Sequence, residues 1–229
     1  MRKINFPLPV KAVMIDLDGT LLDTVQDLAL AVNLMLIELG CPTLQEKRIA
    51  NFVGKGVFHL VRRALTDVQG REPDEALIER AMPVFMNCYE RTNGEHTKPY
   101  PGVIEGLDAF RKMGFPLACV TNKISRFTLP LLQQQRLEHY FREVIAGDTL
   151  PKKKPDPLPL THTAQKFGVE PRDLLLIGDS LNDVEAARAA GCPVFCVDYG
   201  YNEGLDVRTF DVDAIVSSLV EAYKLVKKS

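Results

Sequence analysis

Val10-Lys11-Ala12-Val13-Met14-Ile15-Asp16-Leu17-Asp18-Gly19-Thr20 runs from a nearly unbroken apolar segment directly into an acidic turn. A short apolar run without alternation suits a strand covered on both faces, as in a parallel sheet. Val10 to Leu17 therefore reads as one buried strand. Three later runs resemble it: Pro116 to Val120, Asp173 to Ile177 and Pro193 to Val197. Helical patterns separate them, at Val103–Lys112, Ile124–Gln135, Leu158–Phe167 and Leu181–Ala190. Gly114, Gly168 and Gly191 stand just past three of these, where glycine favours termination. Strands alternating with helices of about ten residues predict βαβ units, an α/β fold with a parallel sheet.

Residues 21–97 break this rhythm. Asp23 or Thr24 can cap a helix running to Leu39, with Leu28, Val32, Met35 and Leu39 on one face. Helical patterns follow at Lys55–Leu65 and Asp74–Tyr89, and no strand is evident. An inserted all-helical cap is predicted over residues 21–97, with hinges near Leu22–Asp23 and Glu95–Tyr100. The core then comprises residues 1–20 and 98–229. Phe52, Phe58, Met82, Phe85 and Met86 read as the apolar interior of the cap.

Composition excludes several classes. The 229 residues carry 28 Lys+Arg against 30 Asp+Glu, and 46% are hydrophobic. This is ordinary for a globular chain and offers no broad basic field for nucleic acid. No apolar stretch reaches the roughly 20 residues that span a bilayer. The basic start Met1-Arg2-Lys3-Ile4-Asn5 is followed by Pro7 and Pro9 rather than a signal-peptide core. Cys41, Cys88, Cys119, Cys192 and Cys196 fit neither a disulfide framework nor a zinc spacing. A cytoplasmic protein with reduced thiols is expected, without nucleic-acid or membrane partners, as a monomer or homodimer.

Asp16 and Asp18 stand at the carboxyl end of the first predicted strand, where open α/β sheets bind ligands. Residues i and i+2 of a strand point the same way. Two such carboxylates repel and require a cation or a proton between them. A second acidic group, Gly178-Asp179-Ser180-Leu181-Asn182-Asp183, follows another buried strand. Oxygen donors without His or Cys suit Mg²⁺. Mg²⁺ commonly combines one or two carboxylates with a phosphate oxygen, so the pattern points to phosphate chemistry. Thr121-Asn122-Lys123 follows a third strand, where a hydroxyl, an amide and backbone N–H groups can hold phosphoryl oxygens. In Lys152-Lys153-Lys154-Pro155-Asp156-Pro157, Lys152 and Lys153 read as a solvated face. Lys154 is restrained by Pro155 and can be aimed reproducibly.

Asp16-Leu17-Asp18-Gly19-Thr20, Thr121-Asn122, Lys154-Pro155 and Gly178-Asp179-Ser180-Leu181-Asn182-Asp183 together resemble the four motifs of the haloacid dehalogenase-like phosphohydrolases. The resemblance implies a Rossmann-like core with helices on both faces and a mobile helical cap. It implies Asp16 as the nucleophile, Asp18 as general acid and then base, and Thr121, Asn122 and Lys154 as holders of the phosphoryl group. Mg²⁺ would be held by Asp16, Asp179 and the backbone carbonyl of Asp18, with Asp183 acting through water or by orienting Lys154.

Val53-Gly54-Lys55-Gly56 with Leu60-Val61-Arg62-Arg63-Ala64-Leu65 is similar to the cap of bacterial phosphoglycolate phosphatases. That implies a small phosphate ester as substrate, chiefly 2-phosphoglycolate. The cap is net acidic, so a substrate carboxylate must be read locally. Lys55, flanked by Gly54 and Gly56, is the first candidate, followed by Arg62, Arg63 and His59. A phosphosugar mutase and a pyrophosphatase of the same superfamily remain as alternatives. A non-catalytic phosphate-binding module is disfavoured, because binding alone needs no pairing of Asp16 with Asp18.

Overall fold

The computed structural model describes residues 5–229; Met1 to Ile4, part of the basic start, lie outside the described residues. In chain order it begins with β1 (Leu8–Val10), β2 (Ala12–Ile15) and β3 (Leu22–Asp23), followed by α1 (Val25–Glu38), α2 (Glu46–Ala50), α3 (Val57–Gln69) and α4 (Glu75–Thr92). β4 (Lys98–Pro99), α5 (Val103–Lys112), β5 (Leu117–Val120), α6 (Ser125–Gln134), β6 (Glu143–Ile145) and α7 (Leu158–Phe167) come next. The chain ends with β7 (Leu174–Gly178), α8 (Leu181–Ala190), β8 (Val194–Val197), β9 (Ala214–Val216), α9 (Leu219–Lys224) and β10 (Val226–Lys228).

Six strands form one sheet in the order β6-β5-β2-β7-β8-β9, and every pairing in it is parallel. β2 lies between β5 and β7, with Ile15 opposite both Cys119 and Ile177. The strands alternate between two buried layers. Val13, Ile15, Leu117, Cys119, Leu175, Ile177 and Phe195 pack on one side. Ala12, Met14, Ala118, Val120, Leu174, Leu176 and Val194 pack on the other. Burial of both faces explains the uninterrupted apolar runs.

The first strand differs from its sequence reading. It splits at exposed Lys11, whose N–H bonds the Asp173 carbonyl and whose ammonium pairs with the Asp173 carboxylate at 2.7 Å. β1 leaves the main sheet and pairs with β10 instead. Asp16 and Leu17 fall after the strand rather than in it.

Helices α1–α4 share an apolar interior that includes Leu28, Val32, Met35, Leu60, Phe85 and Tyr89. Phe52 and Phe85 are buried there, while Phe58 is 39% exposed and is not part of it. The chain enters and leaves this helical layer through β3 and β4, which pair antiparallel, Leu22 opposite Pro99 and Asp23 opposite Lys98. A strand therefore does occur within 21–97, at the junction. Asp27 fixes the return path. Its buried carboxylate accepts N–H bonds from Gly94, His96 and Thr97 at 2.9–3.1 Å, and the Thr97 hydroxyl at 2.6 Å. A buried carboxylate requires such partners. All five cysteines are unpaired. Among the described residues, no helix is long and apolar enough to cross a membrane.

Candidate active site

The loops after β2, β5 and β7, together with the segment through Lys154, meet at the carboxyl edge of the sheet. The Asp16 N–H bonds Ile177 O at 2.9 Å, so its side chain enters beside the loop that follows β7. Asp16, Asp179 and Asp183 are all buried, and each offers a carboxylate oxygen within 4.8 Å of the others. Lys154 is buried among them. Its Nζ lies 2.6 Å from Asp183 Oδ1, 2.6 Å from Val120 O and 2.8 Å from Asp16 Oδ1. Two carboxylates, Asp16 and Asp183, thus hold one ammonium away from water, with Asp179 beside them.

The roles of the two sheet-edge aspartates are unequal. Asp179 Oδ1 accepts the Thr20 hydroxyl, and its Oδ2 accepts the Tyr201 N–H at 2.5 Å. Both Asp183 oxygens are engaged. Oδ1 holds Lys154, while Oδ2 accepts the N–H and hydroxyl of Ser180 in a capping box at the start of α8. Gly19 takes a positive φ of 86°, and a Cβ there would collide with the Asp179 carboxylate. The sharp turn after Asp18 therefore needs glycine.

Electrostatics follow from this burial. Desolvation lifts the Asp16 carboxyl to about 7; Lys154 opposes that lift, and Asp183 adds to it. Asp179 is likewise pushed well above the carboxylate range, by burial first and then by Asp16 and Asp183. For Lys154, burial favours the neutral amine, but the Asp16 and Asp183 carboxylates outweigh it and hold the ammonium charged. Asp16 Oδ1 is buried and close to Lys154, yet outside hydrogen-bonding angles, so it has no hydrogen-bond partner. An all-oxygen acidic pocket with an unpartnered buried oxygen fits a hard divalent cation.

The Asp18 side chain is not part of this carboxylate triad. It lies 3.1 Å from the ammonium of Lys123, which is buried and also bonds the phenol of Tyr89. Thr121 and Asn122 line the same pocket as Asp16 and Asp18. The Asn122 amide donates to Gly54 O at 2.9 Å and Lys154 O at 2.8 Å, bracing the pocket wall. Its amide N–H groups are therefore spent on carbonyls. Gly54 and Gly56 line the pocket from the helical layer, with Leu28, Val53, Val57 and Leu60.

Lys55 and Arg63 do not reach this pocket. Both pair with Glu203, at 2.9 and 2.6 Å, and these contacts hold its carboxyl below the usual range despite partial burial. Arg62 pairs with Glu72 on the surface. His59 lines a separate groove with Arg62 and Arg63, whose charges are balanced there by Glu72 and Glu203. Lys152 is exposed beside Asp156, but Lys153 is half-buried and donates to Lys55 O at 2.9 Å. The solvated-face reading fails for Lys153 because its ammonium crosses to the helical layer.

Lys123, Tyr89, Tyr201, Thr20 and Glu203 were not singled out by sequence. Lys123 had a usable signal, since it directly follows Thr121-Asn122 at a strand end. Tyr89 and Glu203 had none, because their partners lie 34 and 140–148 positions away.

The family model described as "Haloacid dehalogenase-like hydrolase" matches residues 13–197, a span containing Asp16, Asp18, Thr121, Lys154, Asp179 and Asp183. The chain belongs to the haloacid dehalogenase-like hydrolases. Among relatives of this hydrolase, "Phosphoglycolate phosphatase" of Nitrosospira multiformis is 59% identical, covering 99% of this chain and 100% of the relative. "Phosphoglycolate phosphatase" of Thiobacillus denitrificans is 54% identical, covering 98% and 99%. The crystal structure of a predicted phosphoglycolate phosphatase from Haemophilus somnus superposes with a TM-score of 0.89 at 33% identity, covering 94% of this hydrolase and 97% of that chain.

Proposed function

We propose that this hydrolase is a Mg²⁺-dependent phosphatase converting 2-phosphoglycolate to glycolate and inorganic phosphate. The observation that carries the reading is the buried Asp16–Asp179–Asp183 triad, two of whose carboxylates pair with Lys154, with Asp16, Asp18 and Lys154 lining one pocket. Full-length similarity to proteins named for that reaction supports the substrate.

In this reading an Asp16 carboxylate oxygen attacks phosphorus, and the bond to the glycolate oxygen breaks. Asp18 delivers a proton to that oxygen, a contribution of roughly 10²–10⁴-fold. Water, deprotonated by Asp18, then attacks phosphorus of the Asp16 acyl phosphate, releasing phosphate and restoring the Asp16 carboxylate and the protonated Asp18 carboxyl. Lys154 and Thr121 hold the phosphoryl oxygens, and the charge on Lys154 lets two anions approach. Asp16, Asp179 and the Asp18 carbonyl would hold Mg²⁺, which when bound neutralises phosphoryl charge. Asp183 orients Lys154 from outside direct metal contact. Residues 21–97 act as a cap over the core of residues 1–20 and 98–229. Closure over Asp16 excludes bulk water.

The test is a steady-state panel with Mg²⁺, comparing 2-phosphoglycolate, ethyl phosphate, pyrophosphate and hexose phosphates by kcat/KM. 2-Phosphoglycolate is expected to lead. A hundred-fold or greater preference for a hexose phosphate or pyrophosphate, roughly 2.8 kcal/mol of transition-state discrimination, would replace this substrate with another.

A second expectation concerns metal and pH. Without metal, folding raises the Asp16 and Asp179 carboxyls, so the native state binds more protons than the unfolded chain above the ordinary carboxylate range. The contribution to stability is then fully present at about pH 4 and declines as pH rises through about 7. Mg²⁺ replaces those protons. Saturating Mg²⁺, at about 100 times its Kd, should add about 2.7 kcal/mol. The rise in Tm should be larger at pH 7.5 than at pH 5.5, values chosen to bracket the Asp16 transition near 7. Melting curves with and without Mg²⁺ check this, and an equal Mg²⁺ effect at both pH values would contradict it.

A further inference from the structure

The pocket contains two ammonium groups among the described residues, Lys154 and Lys123. Lys154 has three oxygen neighbours and sits at the Asp16 end, where phosphorus must be. Lys123 instead pairs with Asp18. Its Nζ lies 3.1 and 3.4 Å from the two Asp18 oxygens, bonds the Tyr89 phenol and stands 4.6 Å from the centre of that ring. The Lys123 side chain is only 2% exposed. Asp18 supplies the counter-charge that a buried ammonium requires, and that pairing places the Lys123 ammonium directly beside the acid that must face the leaving oxygen.

We propose that Lys123, assisted by the Tyr89 hydroxyl, reads the carboxylate of the substrate; the inference rests on the 2-phosphoglycolate reading above. The argument is one of distance. Asp18 must lie against the oxygen that leaves phosphorus if it is to protonate it. In 2-phosphoglycolate the carboxylate oxygens are three bonds from that oxygen, about 3–4 Å away. A cation about 3 Å from Asp18 is therefore placed to meet them. Lys55 and Arg63, the cations of the helical layer that sequence favoured for this task, are held by Glu203 outside the pocket.

The surroundings add to the discrimination. The helical layer contributes the apolar side chains of Leu28, Val53, Val57 and Leu60 to the wall, and such neighbours strengthen an ion pair relative to water. Burial, with Asp18 and Asp27 nearby, pushes the Tyr89 phenol well above its usual range, so it remains a neutral O–H donor. Tyr89 comes from α4 and Lys123 from the loop after β5. A carboxylate that contacts both groups touches both halves of the molecule, so recognition is complete only when they are together.

The experiment compares 2-phosphoglycolate with ethyl phosphate, which has the same two-carbon length and no carboxylate. In the wild type, kcat/KM should favour 2-phosphoglycolate. In Lys123→Met that preference should fall by about 10- to 100-fold, the range for a hydrogen bond to a charged group, with glycolate weakened as a product inhibitor to a similar extent. Tyr89→Phe keeps the ring and its packing, and should lose the same preference by a smaller factor; it tests the site even where Lys123→Met fails to fold. If both substrates lose equally in Lys123→Met, Lys123 only positions Asp18 and the proposal is overturned. Retained preference in either folded variant overturns that residue's part in recognition. Absence of any preference in the wild type would instead remove the substrate reading itself, a result visible before any variant is made.

Discussion

Asp16→Asn is expected to lower kcat on 2-phosphoglycolate by roughly 10⁴–10⁶-fold, the scale seen when a nucleophile is removed from a catalytic unit, while the fold survives. Asparagine has nearly the same shape, but its amide oxygen is a poor nucleophile toward an anionic phosphoryl group. Stability should not suffer. Burial already disfavours the charged form of Asp16, so a neutral side chain relieves one of three crowded carboxylates. Lys154 keeps Asp183 Oδ1 and Val120 O as partners. Without Mg²⁺ the variant should melt at or above the wild-type temperature, and its response to Mg²⁺ should shrink. Turnover within ten-fold of wild type, about 1.4 kcal/mol in barrier height, would sink the nucleophile assignment. So would an acid-quenched reaction in which phosphate labels a residue other than Asp16.

Lys154→Ala has the opposite profile, with a large effect on both folding and rate. Lys154 is 3% exposed and stands within 2.8 Å of Asp16 and Asp183. Removing one member of a buried ion cluster leaves charge uncompensated, at a cost of about 3–5 kcal/mol. For a chain of this length that is a fall in Tm of roughly 6–20 °C. Val120 O loses a donor as well. The double variant Lys154→Ala with Asp183→Asn should recover part of the stability, because the stranded carboxylate is then neutral, yet recover no activity. Thermal melts of the wild type, both single variants and the double variant form the necessary cycle. A Lys154→Ala Tm within 2 °C of wild type, less than about 1 kcal/mol, would mean that these charges are solvated and that the pocket is wetter than its burial indicates.

Much of this site is legible because chemistry and strand ends coincide along the chain. Each acidic or polar cluster directly follows an apolar run, and a parallel sheet brings the carboxyl ends of its strands to one edge. Asp16, Thr121 and Asp179 are therefore near one another as soon as β2 lies between β5 and β7, whereas Lys154 reaches them from the segment between β6 and α7. Helix limits were also readable where glycine follows the last turn, as at Leu158–Phe167 and Leu181–Ala190. Short edge elements were less visible. β6, β9 and β10 have three residues each, too few for a periodic pattern to stand out. β3 and β4 have two residues each, and exist because the two junction strands happen to run side by side.

The interface between the helical layer and the core was the part that sequence misjudged. Lys55 between two glycines looks like a ligand-binding loop, but Glu203 takes its charge. Glu203 belongs to the loop that also presents Tyr201, whose N–H bonds Asp179 and whose phenol accepts the N–H groups of Thr24 and Val25. One short loop thus ties the acidic site, the junction and the helical layer together. Nothing in Tyr201-Asn202-Glu203 signals this, since each contact spans more than 20 positions, and most span more than 100.

By itself, the sequence determined the α/β core, the position of the helical layer and the acidic residues that gather at the strand ends, because those depend on local patterning and on which residues end each strand. Only the tertiary structure decided which cation serves which anion. Lys154 with Asp16 and Asp183, Lys123 with Asp18, and Glu203 with Lys55 and Arg63 are choices made by distance and burial. Coulomb attraction strengthens as water is excluded, and which charges lose their water is known only once the chain has closed around them.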